Sequence, residues 1–165
     1  AGAIDVVLTF EETKHIFALL GVDLFAQENI SREYSSHMGR IYARSGGVSL
    51  AVQKTLERLH PARRISLQAQ HADGVPDCRK MLTDIMDGRA KANFFEGMGC
   101  AGGCIGGPKS LLQREDARVR VNAYGKQSRF ATPLDNPYVL KLLHMLDFTT
   151  LDSLLEDKEF LVRKF

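Results

Sequence analysis

In Phe94-Phe95-Glu96-Gly97-Met98-Gly99-Cys100-Ala101-Gly102-Gly103-Cys104-Ile105-Gly106-Gly107-Pro108-Lys109, a short apolar run passes directly into a glycine-rich loop that carries two cysteines. Residues 92–98, with Phe94 and Phe95, read as a strand. Upstream, residues 64–70 alternate, with Ile65, Leu67 and Ala69 on one side, and read as another strand. Between them Pro76 suits the first turn of a helix whose apolar face is Cys78, Met81, Leu82 and Ile85, and Gly88 suits its end. Strand, helix and strand at these intervals predict an α/β fold with a mostly parallel sheet flanked by helices. Ligands of such sheets gather at the carboxyl ends of the strands, where this loop falls.

The loop has its own chemistry. Six of the eleven positions from Gly97 to Gly107 are glycine and two are cysteine. Glycine lets backbone approach a bulky inorganic group and exposes amide N–H groups toward sulfur. Thiolates are soft ligands for iron–sulfur clusters, zinc or copper. On spacing alone a cluster site, a zinc half-site and a redox thiol pair all stay open. No His or further Cys lies within ten residues to complete a zinc site, and a thioredoxin-type pair has two intervening residues rather than three.

Outward from this centre, residues 4–8 form a β-branched run that reads as a strand. Thr9 and Glu12 have the spacing of a capping box for a helix bearing Ile16, Leu19 and Leu20 and stopping at Gly21. Residues 22–45 read as a long loop. Gly46-Gly47 opens a helix with Val48, Val52, Leu56 and Leu59 on one face, ended by Pro61. Residues 111–130 are ambiguous, with Val119 and Val121 alternating like a strand. Asn136-Pro137 starts a helix bearing Val139, Leu142, Leu143 and Leu146, and Thr149 or Thr150 caps a last one through Leu154 and Leu155.

Bulk properties narrow the function. The chain has 165 residues, the size of one domain, with 44% hydrophobic and 25% charged residues. A net charge of +2 from 22 basic and 20 acidic residues gives no electrostatic reason for nucleic acid or anionic membrane as partner. The densest basic group, His60 to Arg64, reads as a solvated turn. No apolar run nears the roughly 18–20 residues that span a bilayer, so a soluble cytoplasmic protein is expected. Three cysteines are too few for a secreted disulfide framework. The chain begins with Ala1 close to a predicted element, which predicts a single domain over 1–165 cut from a longer parent, with residues 1–3 a tag remnant.

Glu96-Gly97-Met98-Gly99-Cys100-Ala101-Gly102-Gly103-Cys104-Ile105-Gly106-Gly107 resembles the last signature of the iron-only (di-iron) hydrogenases, Glu-x-Met-x-Cys-x-x-Gly-Cys-x-x-Gly-Gly. Val7-Leu8-Thr9 with Glu12 resembles that family's Val-Leu-Thr-Thr-Arg-Glu. Ser31-Arg32-Glu33-Tyr34-Ser35 is similar to its Ser-Glu-Tyr-Ser, and Ile41-Tyr42-Ala43-Arg44-Ser45-Gly46-Gly47-Val48 to its Ile-Phe-Gly-Ala-Thr-Gly-Gly-Val. His71 to Leu82 resembles its His-Gly-Leu-Gly-Asn-Ala-Arg-Lys-Leu-Leu helix, and Asn136-Pro137 its late Asn-Pro. The resemblance spans roughly residues 4–146.

This resemblance implies the C-terminal lobe of a catalytic domain that reversibly reduces protons to dihydrogen at an H-cluster, a 4Fe-4S cubane joined through one cysteine to a di-iron subcluster bearing CO and cyanide. It implies Cys100 as a terminal cubane ligand and Cys104 as the bridging one, with Met98, Gly103, Ala43, Tyr42, Gly46 and Gly47 lining the cluster pocket. The other two ligands and a proton-relay cysteine belong to signatures N-terminal to this segment, so the isolated chain is expected to be inactive and to bind no intact cluster. The implied partners are the N-terminal lobe of the parent and a ferredoxin-like electron carrier, with self-association of the bare chain. Departures are Pro108-Lys109 where the family continues Gly-x-Pro, Ala43 for a glycine and Tyr42 for a phenylalanine. They keep open a hydrogen sensor or an iron–sulfur assembly factor without a di-iron unit. A zinc or thiol redox module is the weaker alternative.

Other residues take blander roles. Cys78 reads as a small hydrophobe on a helix face, and Glu96 as a structural acceptor for the loop. His15, His60 and His144 fall on helices, and His71 follows a strand.

Overall fold

The computed structural model describes residues 4–26, 34–59 and 66–160. In chain order it contains α1 (Phe10–Leu19), α2 (His37–Arg40), a 3-10 turn (Ile41–Ala43), α3 (Gly47–Leu59), β1 (Ala69–Asp73), α4 (Val75–Met86) and β2 (Phe94–Met98). A 3-10 turn (Cys104–Gly106), α5 (Arg114–Lys126), another 3-10 turn (Pro133–Asp135), α6 (Pro137–Met145) and α7 (Leu151–Glu156) follow.

The α/β architecture rests on one β1–α4–β2 unit. Its strands are parallel, in register from Ala69 opposite Phe94 to Asp73 opposite Met98. Parallel neighbours need a crossover, and α4 supplies it, with Pro76 in its first turn. Both strands therefore end together, at Asp73 and Met98, and the cysteine loop leaves from that end.

Helix termini follow their capping residues. Thr9 Oγ1 accepts from the Glu12 amide at 3.3 Å, and the Glu12 carboxylate accepts from the Thr9 amide at 2.7 Å. Ser36, Asn136 and Thr150 cap α2, α6 and α7. The largest buried cluster is Met38, Ile41 and Ala51, against which Leu50 and Val121 pack. The core thus lies between α2 and its following turn, α3 and α5. At Gly47, an added Cβ would stand 2.0 Å from the Ile41 carbonyl oxygen, so the turn and the first residue of α3 touch backbone to backbone and nothing larger than glycine fits.

Several expectations are corrected. Residues 4–8 form no strand; Ile4, Val6 and Val7 are each more than two-thirds exposed, and among the described residues no strand lies beside this β-branched run to complete a ladder. The strand expected over 64–70 is instead Ala69–Asp73, because Asn93 and Phe94 donate to the Gln68 carbonyl and set where pairing begins; residues 60–65 lie outside the described set, as do Pro61, the expected helix stop, and the basic group from His60 to Arg64. Within the expected loop over 22–45, residues 37–43 are helical; residues 27–33, including Ser31 to Glu33, are outside the described set. Residues 114–126 are a helix. Ala117, Val121 and Gly125 recur every four residues on its inner side, while Val119 is exposed, so the alternation was a fragment of a helical period.

Candidate functional site

β2 delivers Cys100 two residues past its end, and the chain then folds back on itself. The Gly103 amide donates to the Cys100 carbonyl at 3.0 Å, the Gly106 amide to Gly103 at 3.0 Å and the Gly107 amide to Cys104 at 3.1 Å. Cys100 is partly buried and Cys104 exposed, and neither is in a disulfide.

Gly103 is where this loop meets the segment before α3. Its φ of +85° and ψ of −159° belong to backbone that only glycine adopts readily. A Cβ there would fall 2.7 Å from Met98 Sδ, 2.7 Å from the Ser45 nitrogen and 2.9 Å from the Ala43 oxygen. The contact is also hydrogen-bonded: the Ser45 amide donates to the Gly102 carbonyl at 3.0 Å, and Arg44 and Gly103 form an isolated antiparallel bridge. Met98, Gly103, Ala43 and Ser45 therefore converge beside the cysteines. Gly46 lies next to this group but faces the His71 ring, 3.3 Å from where its Cβ would be. Gly47 is buried against Ile41, and Tyr42 is 44% exposed.

Two residues hold this arrangement that their sequence context did not reveal. Glu96, in β2, is 5% exposed and accepts from the Gly46 amide at 2.9 Å, the Ser49 amide at 2.7 Å and Ser49 Oγ at 2.6 Å. It was expected to serve the cysteine loop. It serves the start of α3 instead, satisfying N–H groups that every helix leaves open and placing a carboxylate at the positive end of the helix dipole. Arg44 donates from Nε to Asn122 Oδ1 of α5 at 2.7 Å and from Nη1 to the Ser45 carbonyl at 3.1 Å. Burial holds its guanidinium below the ordinary value, the neighbouring Arg118 cation adds to this, and Glu96 opposes it. The Glu in the signature had the right residue type for such an acceptor, but its partners lie about 50 residues away in sequence.

Cys78 corrects another expectation. It is partly buried, as a small hydrophobe should be, yet its thiol is directed at the Met98 carbonyl, 3.3 Å away. The same carbonyl accepts from the Gly74 amide at 2.9 Å, so the root of the cysteine loop is held from the α4 side. At the far end, Lys109 adopts φ +59° and pairs with Glu11 of α1 at 3.2 Å.

The donor set suits a soft metal or an iron–sulfur group: two thiols outside any disulfide, one exposed and one partly buried, on glycine-rich backbone. Ser45 Oγ is enclosed and has no hydrogen-bond partner among the described residues. No three His, Cys, Asp or Glu residues gather among those residues to hold a metal ion, so Cys100 and Cys104 would share any such group with ligands from elsewhere. No described helix is long and apolar enough to cross a membrane.

A family model described as iron only hydrogenase large subunit, C-terminal domain, matches residues 1–108. It takes in both cysteines and stops at Pro108, where the sequence leaves the signature; Asn136-Pro137 lies beyond it. No curated protein matches the chain.

Proposed function

The chain belongs to the iron-only hydrogenase family, matching the C-terminal domain of its large subunit, and from that premise we propose that it forms one wall of the metal-cluster site of a hydrogenase that reversibly reduces protons to dihydrogen. Cys100 would hold a 4Fe-4S cubane as a terminal thiolate ligand, and Cys104 would be the ligand through which a di-iron subcluster is attached. Met98, Gly103, Ala43 and Gly46 wall the pocket, with Gly47 and Tyr42 behind them. The bound group supplies the electron and proton chemistry. The chain's residues orient two thiolates, keep backbone close to them and hold the strand end still through Glu96, Cys78 and Gly74.

The single observation carrying this reading is the position of the cysteine loop: two available thiols at the shared carboxyl end of two parallel strands, on a glycine cradle closed by residues 43–46. The surface is consistent with a missing partner. Ile4, Val7, Leu19, Leu20, Phe25 and Met86 are among its exposed apolar residues, and a surface of that kind is normally covered. The N-terminal lobe of the parent would cover it and bring the remaining ligands. Without that lobe the chain should self-associate and be colourless. A ferredoxin-like carrier would deliver the electrons, and the parent would work in the cytoplasm.

A non-catalytic relative, a hydrogen sensor or an iron–sulfur assembly factor, is the second reading. The feature favouring it is Pro108-Lys109, which follows Gly107 where the signature continues in glycine, with Lys109 in left-handed backbone tied to α1.

The test uses the parent protein with Cys104→Ser and Cys78→Ser. Loss of the infrared bands of metal-bound CO and cyanide in the first, with iron and those bands kept in the second, supports the assignment. Equal loss in both means the cysteines are misassigned. A cubane without those bands in the wild type favours the non-catalytic reading.

A further inference from the structure

The cysteine loop is poorly equipped to hold itself. Six of the eleven positions from Gly97 to Gly107 are glycine, which loses the most conformational freedom on folding and brings no side chain to pack. Residues 43–45 meet the loop at Gly103. Another contact from outside is the side chain of Arg114, the first residue of α5. A Cβ on Gly102 would lie 3.0 Å from Arg114 Cδ and 3.4 Å from its Cγ. A Cβ on Gly106 would lie 2.9 Å and 3.0 Å from the same two carbons, and 2.0 Å from the Ala101 oxygen. These glycines stand two residues before and two after Cys104, and both leave open the space that the Arg114 methylenes fill. Charge does not account for this arginine. It is exposed, and its guanidinium makes no hydrogen bond or ion pair among the described residues. It also sets a cation at the positive end of a helix, where the next two residues, Glu115 and Asp116, have the sign that end favours. A long charged side chain can pack its stem and leave its head in water.

We infer that the aliphatic stem of Arg114 is the mould against which the cysteine loop folds, so that Cys100 and Cys104 are set in place before any metal is bound. Arg114 is a positioning residue, acting through Gly102 and Gly106. The folding of the loop rests on the contacts above, and its use in ligation rests on the function proposed above. A loop already ordered when its ligand arrives does not have to be ordered by binding. The charge is dispensable by this account, and any unbranched apolar side chain that reaches as far as Cδ serves in its place.

The experiment compares wild type, Arg114→Ala and Arg114→Met. Alanine removes the stem, methionine keeps an unbranched stem without the charge, and all three residues favour a helix. In the 165-residue chain without metal, amide hydrogen exchange is followed by nuclear magnetic resonance at Gly103, Gly106 and Gly107, whose N–H groups donate within the loop. Arg114→Ala should speed exchange at these three amides about tenfold, the effect of losing roughly two packed methylenes, and leave the Ser49 amide of α3 unchanged. Arg114→Met should exchange as wild type does. Unchanged exchange in Arg114→Ala overturns the inference, as does equal acceleration in both variants, which would assign the hold to the guanidinium, or equal acceleration at Ser49, which would be a global loss of stability. All three outcomes leave the proposed function intact. In the parent protein, Arg114→Ala should take up iron and sulfide several-fold more slowly, with Arg114→Met at the wild-type rate; equal rates overturn the claim that the loop is set before ligation. A wild-type parent that takes up no iron through Cys100 and Cys104 refutes the proposed function and leaves the exchange result to decide the role of Arg114.

Discussion

Replacing Glu96 with Gln tests whether the carboxylate clamp holds the site wall. The substitution keeps size and shape and changes only the charge and half of the acceptor capacity. In the native protein two backbone amides and one hydroxyl donate to the two oxygens. A Gln side chain accepts with one oxygen and turns its NH₂ toward the remaining donor, which leaves at least one amide at the start of α3 orphaned. A hydrogen bond to a charged group contributes about 1.5–3 kcal/mol and an orphaned buried donor costs about 1–3 kcal/mol. Loss of an anion at the helix N-terminus adds roughly 0.3–1 kcal/mol. These contributions overlap, so the expected loss is about 2–4 kcal/mol. In a chain of this length that lowers the melting temperature by roughly 5–15 °C. Urea and thermal unfolding followed by far-ultraviolet circular dichroism measure it, with the exposed Lys54→Gln as a control expected to stay within about 0.5 kcal/mol. The double variant Glu96→Gln/Ser49→Ala should lose less than the sum of the two single losses, since both remove the same bond. If Glu96→Gln unfolds with wild type, or if the two changes simply add, the clamp does not hold α3.

Gly103→Ala forces a Cβ into left-handed backbone and against Met98 and Ser45; we expect a loss of about 2–5 kcal/mol in urea unfolding. A loss under ~0.5 kcal/mol would show that residues 43–45 and the cysteine loop are not in contact. Val121→Lys should destabilise by about 1–3 kcal/mol while Val119→Lys stays within about 0.5 kcal/mol, because α5 turns the two residues to different sides; similar losses for both would fit a strand. Asp135 bonds the Thr132 amide and hydroxyl and pairs with Arg58, and these contacts, the Thr132 hydroxyl first, hold its carboxyl below the ordinary value. A depressed carboxyl contributes stability above its unfolded pKa and loses it as pH falls through the folded one. Stability of the wild type should therefore decline on acidification from about pH 4 downward more steeply than that of Asp135→Asn, and parallel pH profiles would contradict this.

How far the sequence can be read depends on how local the cause is. Pro76, Thr9 with Glu12, and Asn136-Pro137 act within one turn, and each starts a helix at its expected place. The strand expected over 92–98, which runs from Phe94 to Met98, and the cysteines after it were legible for the same reason. Residues 4–8 carry a strand's composition with no strand beside them among the described residues, and composition cannot report what lies alongside. Val119 misled because two alternating positions fit both periods, and only the step from Ala117 to Val121 to Gly125 separates them. Within the site, the cysteines stand out as residue types, whereas Arg44 and Ser45 look ordinary. Their significance comes from Asn122 and Gly103, which the chain brings to them from 78 and 58 residues away.

That separation also sets a timetable. Closing a loop of 50–80 residues is entropically slow compared with winding a helix, which needs only near neighbours. α3 and α5 can form early, but the bonds from Glu96 to Gly46 and Ser49 and from Arg44 to Asn122 join chain segments made far apart. The thiols therefore have no defined setting until nearly everything else has docked. Metal arriving during synthesis would meet loose cysteines, whereas metal arriving afterwards meets a finished wall. Pulse-labelled hydrogen exchange during refolding should find the Gly46 and Ser49 amides protected together and after the α5 interior, and protection of these two amides ahead of α5 would reverse the order. On this schedule the two cysteines are among the last parts of the chain to reach a fixed setting.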